Sequence, residues 1–335
     1  MSTIRIGFIG CGNIAHSHVL RLSRVEGVEI VALADPGERG RRLLKQKFGL
    51  DRAAEYDDHA EMLNGGDVDA VIICSPHTLH ARHAEEALAA GKHVLIEKPM
   101  TCSSEEAKHL IATAERAGKV LQVSFQRHFL PPFLYIRSAI ADGVIGKLAS
   151  VTATLYQNWK QSQEGTWRQM PELSGGGMLM DSGSHIIDVL LWTTGLTPQQ
   201  LSVQLECHGA PVEVDTLTAF RFAEGGIGSM NIIGLAPLGK LKETYAFIGE
   251  AGGIFYDNGR VTLTLNGQEP IEPELPESVT DPDRSFVDAI LGKHEVLVPG
   301  EYALKVVAFT EAIYAAAGYV VEPAGRPDAA GRGVR

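Results

Sequence analysis

Ile4-Arg5-Ile6-Gly7-Phe8-Ile9-Gly10-Cys11-Gly12-Asn13-Ile14-Ala15 and, a little further on, Val28-Glu29-Ile30-Val31-Ala32-Leu33-Ala34-Asp35 decide the fold. Ile4 to Ile9 alternates and ends apolar, as a buried strand does. An amphipathic stretch runs on through Arg24, and the second apolar run stops at an acid. The pattern is G-x-G-x-x-A inside a βαβ unit, with an acid about 20 residues on. Gly10 allows the tight turn, Gly12 lets the backbone approach a pyrophosphate, and Ala15 lets helix and strand pack closely. The helix starting at Asn13 and Ile14 presents free N–H groups and a positive dipole end to the phosphates. Asp35 can accept hydrogen bonds from both hydroxyls of an adenosine ribose and would repel a 2′-phosphate, which favours NAD over NADP. Arg39, Arg41 and Arg42 nearby leave room for both.

Strand and helix signals alternate from Ile4 to about Val123. Gly37 to Phe48 reads as a helix ended by Gly49, Ala70 to Cys74 as a buried strand, His77 to Ala90 as a helix and His93 to Ile96 as a strand. Ser103 opens a helix to about Ala117 with a capping-box pattern, Ser103-x-x-Glu106. Such alternation predicts a doubly wound parallel sheet, a Rossmann domain over residues 1–124. Beyond it a helix is expected over Pro132 to Ala141, followed by period-two runs from Ala149 to Tyr156 and, with turns between them, from Leu201 to Leu265. Residues 125–335 therefore read as an α+β domain with a large, mostly antiparallel open sheet and late helices over Arg284 to Leu291 and Tyr302 to Ala317. The tail from Pro323 reads as frayed. A large sheet with one covered face offers the other to a subunit contact, so a homodimer or homotetramer through the C-terminal sheet is expected.

The 335 residues are 44% hydrophobic and 21% charged, enough to bury real cores. A net charge of −11 argues against nonspecific binding to nucleic acid or an anionic membrane, since phosphate attraction needs a basic face. No signal peptide is expected, since the N-terminal residues read straight into the first strand, and no apolar run approaches the roughly 18 residues of a membrane helix. Cys11, Cys74, Cys102 and Cys207 form no C-x-x-C pair. A cytoplasmic protein with reduced thiols is expected.

Three places carry candidate chemistry. Glu97-Lys98-Pro99 lies just past a parallel strand, where ligands of open α/β sheets bind. A Lys98 ammonium there can stabilise a substrate oxygen as it loses its proton; a solvated strand-end lysine would look the same in sequence. Within Gly175 to Asp188, Asp181 and His185 stand four apart on a helical pattern from Met178 to Trp192, with Asp188 three further on. A histidine beside a carboxylate makes a general base, and equally a pair that only steadies a helix. Ser75-Pro76-His77-Thr78-Leu79-His80 follows the preceding strand and is placed to line the nicotinamide half of a cofactor. His77, His80 and His83 also spell H-x-x-H-x-x-H, with His16 and His18 earlier, but three-residue spacing turns each ring by about 60° around a helix, and no metal is expected.

Together these segments resemble the Gfo/Idh/MocA oxidoreductase family. The resemblance is carried by the Gly10 to Ala15 turn, Asp35-Pro36, Ser75-Pro76 with His80, Glu97-Lys98-Pro99, Arg127 with Phe129 and Pro131, Gly143-x-x-Gly146, Trp167-Arg168 and the long Gly175 to Asp188 segment. It implies a Rossmann domain joined to an α/β domain whose open sheet supports dimers or tetramers. It also implies hydride transfer between NAD(P) and a sugar, polyol or inositol-like alcohol. Lys98, Asp181 and His185 would surround the reacting carbon, with His185 as base, Lys98 on the developing alkoxide, and Asp181 orienting His185 or holding a second hydroxyl. Glu97, Arg127, Trp167 and Arg168 join the cofactor side. His77 stands where many members carry asparagine. The stretch from Tyr156 to Glu164, where specificity would be read, matches no subgroup. Two rivals are an NAD-dependent glycosidase or lyase that oxidises transiently with tightly held cofactor, and a non-catalytic NAD-binding regulator.

Overall fold

The computed structural model describes residues 3–65 and 67–320; the tail from Pro323 lies outside them. The first layer runs β1 (Ile4–Ile9), α1 (Asn13–Leu22), β2 (Val28–Ala34), α2 (Glu38–Phe48), β3 (Ala54–Tyr56), α3 (His59–Gly65), β4 (Ala70–Ile73), α4 (His80–Ala89), β5 (His93–Ile96), α5 (Ser104–Ala117) and β6 (Leu121–Val123). Its six strands are parallel in the order β3-β2-β1-β4-β5-β6, the doubly wound order whose switch point lies between β1 and β4. The Ser103 capping box forms: its hydroxyl accepts from the Glu106 N–H while the Glu106 side chain accepts from the Ser103 N–H. β3 and α3 are absent from the sequence reading. β3 is a three-residue edge strand with no fully buried residue, so its period leaves almost no apolar signature.

The second layer contains α6 (Pro131–Ala141), β7 (Leu148–Tyr156), two single-turn helices, α7 (Trp159–Ser162) and α8 (Pro171–Ser174), then α9 (Ser184–Thr194), β8 (Pro198–Glu206), β9 (Asp215–Phe222), β10 (Ile227–Ile233), β11 (Lys242–Gly249), β12 (Gly252–Asp257) and β13 (Arg260–Leu265). The seven strands lie in the order β13-β12-β11-β7-β10-β9-β8, antiparallel except for β7 beside β10. Period-two burial separates the faces. Val151, Ala153 and Leu155 of β7 are buried in the helix-covered core, while Thr152 and Tyr156 stay exposed on the opposite face.

The chain then returns to the first layer. α10 (Pro282–Ile290) places Phe286 and Val287 in the same core cluster as Ile6 and Phe8 of β1. An isolated bridge ties Pro299 to Gln122 of β6, and α11 (Gly300–Ala316) packs against α5 and α9. Residues past 125 thus serve both layers, and the cleft between them is fixed from two directions. No helix among the described residues is long and apolar enough to cross a membrane.

Candidate active site

The glycine turn is built for a phosphate. Gly10 holds φ at +91°, and a Cβ there would come within 2.7 Å of the Cys74 carbonyl carbon, so only glycine fits against the end of β4. A Cβ on Gly12 would meet nothing within 4 Å. Gly12 is the N-cap of α1 and offers no side-chain cap, so the first amides of the helix open onto free space. That open cradle is the shape a pyrophosphate needs, and NAD fits it. Asp35 accepts from the Cys11 N–H at 2.7 Å through one oxygen and from the Gly37 N–H at 2.7 Å through the other. It braces the glycine turn while retaining lone pairs for a ribose. Of the three nearby arginines, Arg41 is buried and taken up by Glu55, Asp57 and the Tyr56 carbonyl. Arg39 and Arg42 are exposed.

A cleft at the carboxyl ends of β4 and β5 joins the two layers. Ile14, Ser75, His77, His80, Glu97 and Lys98 line it from the first layer; Gln126, Trp167, Arg168 and His185 line it from beyond. The Lys98–Pro99 peptide is cis. Lys98 Nζ donates to Asp181 Oδ1 at 3.0 Å and to the Asp181 carbonyl at 3.1 Å. The other carboxylate oxygen accepts from Trp159 Nε1 at 2.9 Å and Arg168 Nε at 3.1 Å. Burial alone would raise the Asp181 pKa, but Lys98 and Arg168 hold its carboxyl well below the usual range. The buried ion pair keeps the ammonium at one point of the cleft wall.

His185 is not oriented by Asp181. The segment Leu179–Gly183 forms a π-turn, with the Gly183 N–H bonded to the Met178 carbonyl, and residues four apart no longer stack. Asp181 turns to Lys98 and Arg168. His185 lines the cleft with its Nδ1 buried and without a hydrogen-bond partner among the described residues. Asp188 points away from the cleft: one of its oxygens takes His128 Nε2 at 2.7 Å and the Tyr302 hydroxyl at 2.8 Å. Burial, together with the charges of Arg127 and Lys98, pushes the His185 imidazole well below its ordinary value. At neutral pH it is therefore the free base. The acid limb of kcat/KM is expected below about pH 6.5, read from initial rates across buffers. A limb at or above that pH would move the base to another residue.

His77 donates from Nδ1 to the Ser174 carbonyl at 3.0 Å, which leaves Nε2 as an acceptor 3.9 Å from Asp181. Its ring stands edge-on to Trp167, over which Arg168 lies at 4.4 Å. The glycines behind this wall are forced by close approach: a Cβ on Gly177 would collide with the Glu213 carbonyl oxygen. Glu213 accepts from the Gly177 and Leu179 amides and from the Tyr314 hydroxyl, so the segment before Asp181 is held from behind.

Other residues brace the cleft rather than open onto it. His80 lies between the Pro99 carbonyl at 2.7 Å and the Ser75 carbonyl at 2.9 Å, tying the β4 and β5 turns together. Burial favours its neutral form, which can donate to only one of them. Arg127 is committed to Glu243 of β11 through two nitrogens at 2.9 and 2.6 Å. Glu97 accepts from His18 Nε2 at 3.0 Å, and His18 Nδ1 meets Asp283 Oδ1 at 2.7 Å. Arg21 closes the set on the second Asp283 oxygen. The three rings of the H-x-x-H-x-x-H run do not converge: His77 meets the Ser174 carbonyl, while His80 and His83 meet the carbonyl and the hydroxyl of Ser75, His83 Nδ1 at 2.9 Å. Among the described residues no group of three His, Cys, Asp or Glu side chains is arranged to hold a metal.

A family model described as oxidoreductase family, NAD-binding Rossmann fold, matches residues 4–125, and the model of that family's C-terminal domain matches residues 133–255. The chain belongs to the Gfo/Idh/MocA family. Its first layer is the family's NAD-binding Rossmann domain. It is 32% identical over 195 residues to a D-glucoside 3-dehydrogenase of Escherichia coli (strain K12), a match covering 58% of this chain and 55% of that one. It is 28% identical over 269 residues to a myo-inositol 2-dehydrogenase of Thermotoga maritima, covering 78% of each. The chain spans 55% and 61% of the length of the Escherichia coli relative and of a Rhizobium meliloti rhizopine catabolism protein, MocA. Among solved structures, GenD2 from gentamicin A biosynthesis, in complex with NAD, superposes with a TM-score of 0.82 at 25% identity, covering 95% of both chains.

Within this Gfo/Idh/MocA site the sequence reading missed Trp159, Cys74 and Gln126 on the wall, and His18 and Asp283 behind it. One signal existed. Ala15, His18, Val19 and Leu22 form the buried stripe of α1, and a histidine in an apolar stripe must find a buried partner. Nothing near Asp283 in sequence marks it as that partner, 265 residues away.

Proposed function

We propose that this protein is a NAD-dependent dehydrogenase acting on a hydroxyl-bearing carbon of a sugar, polyol or sugar derivative, with residues 1–124 binding the dinucleotide and 125–335 the substrate. The observation that carries the reading is one cleft in which a buried ammonium, Lys98, and a neutral imidazole, His185, both face the space beside the Rossmann switch point. NAD, when bound, supplies the hydride acceptor. His185 takes the hydroxyl proton on a ring nitrogen. Lys98 Nζ donates to the oxygen as negative charge develops there. Asp181 holds Lys98 in place and, with His77 Nε2, offers acceptors to a neighbouring hydroxyl. Trp167 and Arg168 form the side of the cleft that faces the second layer. Names of relatives that act on glucosides and inositols support this substrate class, and Asp35 supports NAD over NADP.

The test is NADH absorbance with purified protein, NAD and a panel of inositols, aldoses and glycosides. NADH formed with one class, and lost in His185→Ala, supports the dehydrogenase. Cofactor that stays bound through purification, with turnover but no net NADH, would instead select the transiently oxidising glycosidase. Binding of NAD with no turnover on any compound would select the regulator.

The uncovered face of the second sheet carries the proposed homo-oligomer. Thr152 on β7 and Ala219 on β9 are exposed there, in one row across the sheet through Ser229 of β10. Thr152→Arg is expected to convert the assembly to monomers in light scattering; an unchanged mass would place the contact elsewhere. Four free cysteines fit the reducing cytoplasm proposed as its location.

A further inference from the structure

The hydride cleft is small, about 200 Å³, against the roughly 300–1,000 Å³ of pockets that enclose drug-sized ligands. A second cavity of about 1000 Å³ lies across the Trp167–Gln169 turn from it. The two share one stretch of chain: Trp167 and Arg168 line the cleft, and Thr166, Gln169 and Met170 line the larger cavity. α7 straddles them as well, since Trp159 donates to Asp181 and the next residue, Lys160, lines the cavity.

We propose that this cavity is a second sugar subsite. The substrate is then a glycoside whose reacting ring meets Lys98 and His185, and whose second, uncharged ring sits among Asn158, Gln161, Glu164 and Gln169. The inference rests on the sugar-oxidation reading of the cleft. The lining chemistry selects the ligand class. Asn158 Nδ2 donates to Gln161 Oε1 at 2.9 Å, which leaves the Asn158 oxygen and the Gln161 amino group for other partners. Gln169 Nε2 donates to the Lys160 carbonyl at 2.7 Å, which leaves its own oxygen. Glu164 makes no ion pair among the described residues and is exposed at the rim. Planar amides and a carboxylate with spare donors and acceptors suit hydroxyls, which both donate and accept. Met170, Pro211 and Leu238 supply an apolar wall for the C–H face of a ring.

An anionic second group does not fit. Among the described residues Lys160 is the only basic one lining the cavity, and one N–H of its ammonium already donates to the His208 carbonyl at 2.6 Å. A phosphate or carboxylate would find that one ammonium, already partly engaged, and no arginine fork, and Glu164 would repel it.

The test compares a methyl glycoside of one hexose with the disaccharide carrying that hexose at its non-reducing end. Two substitutions are used: Ala210→Trp, on the cavity wall beside Pro211, which fills the cavity, and Glu164→Ala, an exposed change that leaves the fold intact. Wild type is expected to favour the disaccharide in kcat/KM by about tenfold or more, and Ala210→Trp to remove that preference with the methyl glycoside rate unchanged. Glu164→Ala is expected to lower the preference part of the way. Equal kcat/KM for both compounds in wild type, or equal losses on both in the variants, would overturn the subsite. Calorimetric binding of the disaccharide to the NADH-saturated protein separates this inference from the oxidation reading. Binding that weakens about tenfold in Ala210→Trp supports the subsite even if no compound is oxidised, and binding that ignores both substitutions refutes it.

Discussion

Lys98→Met is expected to lower kcat by about 10²–10³ while leaving NADH affinity within a few-fold of wild type. Methionine keeps the length and apolar stem of lysine and removes its charge. On the proposed reading the cofactor's pyrophosphate and ribose are held at the glycine turn and at Asp35, groups that Lys98 does not touch, so its binding survives. The alkoxide oxygen, in contrast, loses the ammonium that stabilises it. Asp181 also changes. Lys98 is the strongest of the groups drawing its carboxyl down, and without it Arg168 and the Trp159 indole remain as partners. The Asp181 pKa then moves up toward the ordinary range. The check is single-turnover kinetics for the chemical step and fluorescence titration for NADH. Wild-type kcat in Lys98→Met would remove the lysine from the reaction. A parallel loss of NADH binding would make it a cofactor contact instead.

Asp283→Ala is expected to cost about 3–5 kcal/mol of stability, the range for breaking a buried ion pair by removing one partner. Asp283 and His18 are both wholly buried, and Asp283 is shared between His18 and Arg21. Its loss leaves His18 with Glu97 and Arg21 with the half-exposed Asp281 at 4.0 Å, and no carboxylate shared between the two cations. The pH dependence has a definite sign. Burial opposes a charge on His18, but Asp283 and its neighbours raise its pKa well above the ordinary value near 6.5. A raised folded-state pKa gives stability that is complete below the unfolded value near 6.5, declines as pH rises above it, and is gone once pH passes the folded value. The gap between wild type and Asp283→Ala in urea unfolding should thus be widest below about pH 6 and narrow progressively as pH rises from there. A gap that grows with pH would mean His18 is neutral in the fold. Glu97 immediately precedes Lys98 and accepts from its backbone N–H at 3.2 Å. A local loosening in Asp283→Ala therefore also reaches the catalytic lysine, and kcat should fall more than NAD affinity.

Much of this was legible before any coordinates. The glycine turn, Asp35, the strand–helix alternation and the E-K-P position depend on local spacing and on backbone rules that hold wherever a βαβ unit forms, so the parallel sheet and its ligand edge followed from residues a few positions apart. The seven-stranded sheet followed from period two. Its order, with β7 and β10 side by side in parallel, did not, because pairing between distant strands leaves no mark in either one. β3 escaped because three residues at an edge bury too little to impose a pattern.

The catalytic set shows the same division. Lys98, Asp181 and His185 were named from their residue types and spacing, but the relation drawn between two of them was wrong. Four-residue spacing implies stacking only in an α-helix, and the π-turn at Leu179–Gly183 sends Asp181 to Lys98 and leaves His185 free. Arg127 carried a motif and a positive charge, yet tertiary packing committed both to Glu243, 116 residues on. His18 was visible only as an oddity in an apolar stripe until the returning α10 supplied its carboxylate. Local backbone preference and hydrophobic period are written into neighbouring residues, and they specified the Rossmann half, its cofactor edge and the kinds of side chain the chemistry needs. Which charges face each other was decided by the fold alone, since a buried ion takes its partner from whatever segment the chain brings within about 3 Å, and that segment can lie anywhere along it.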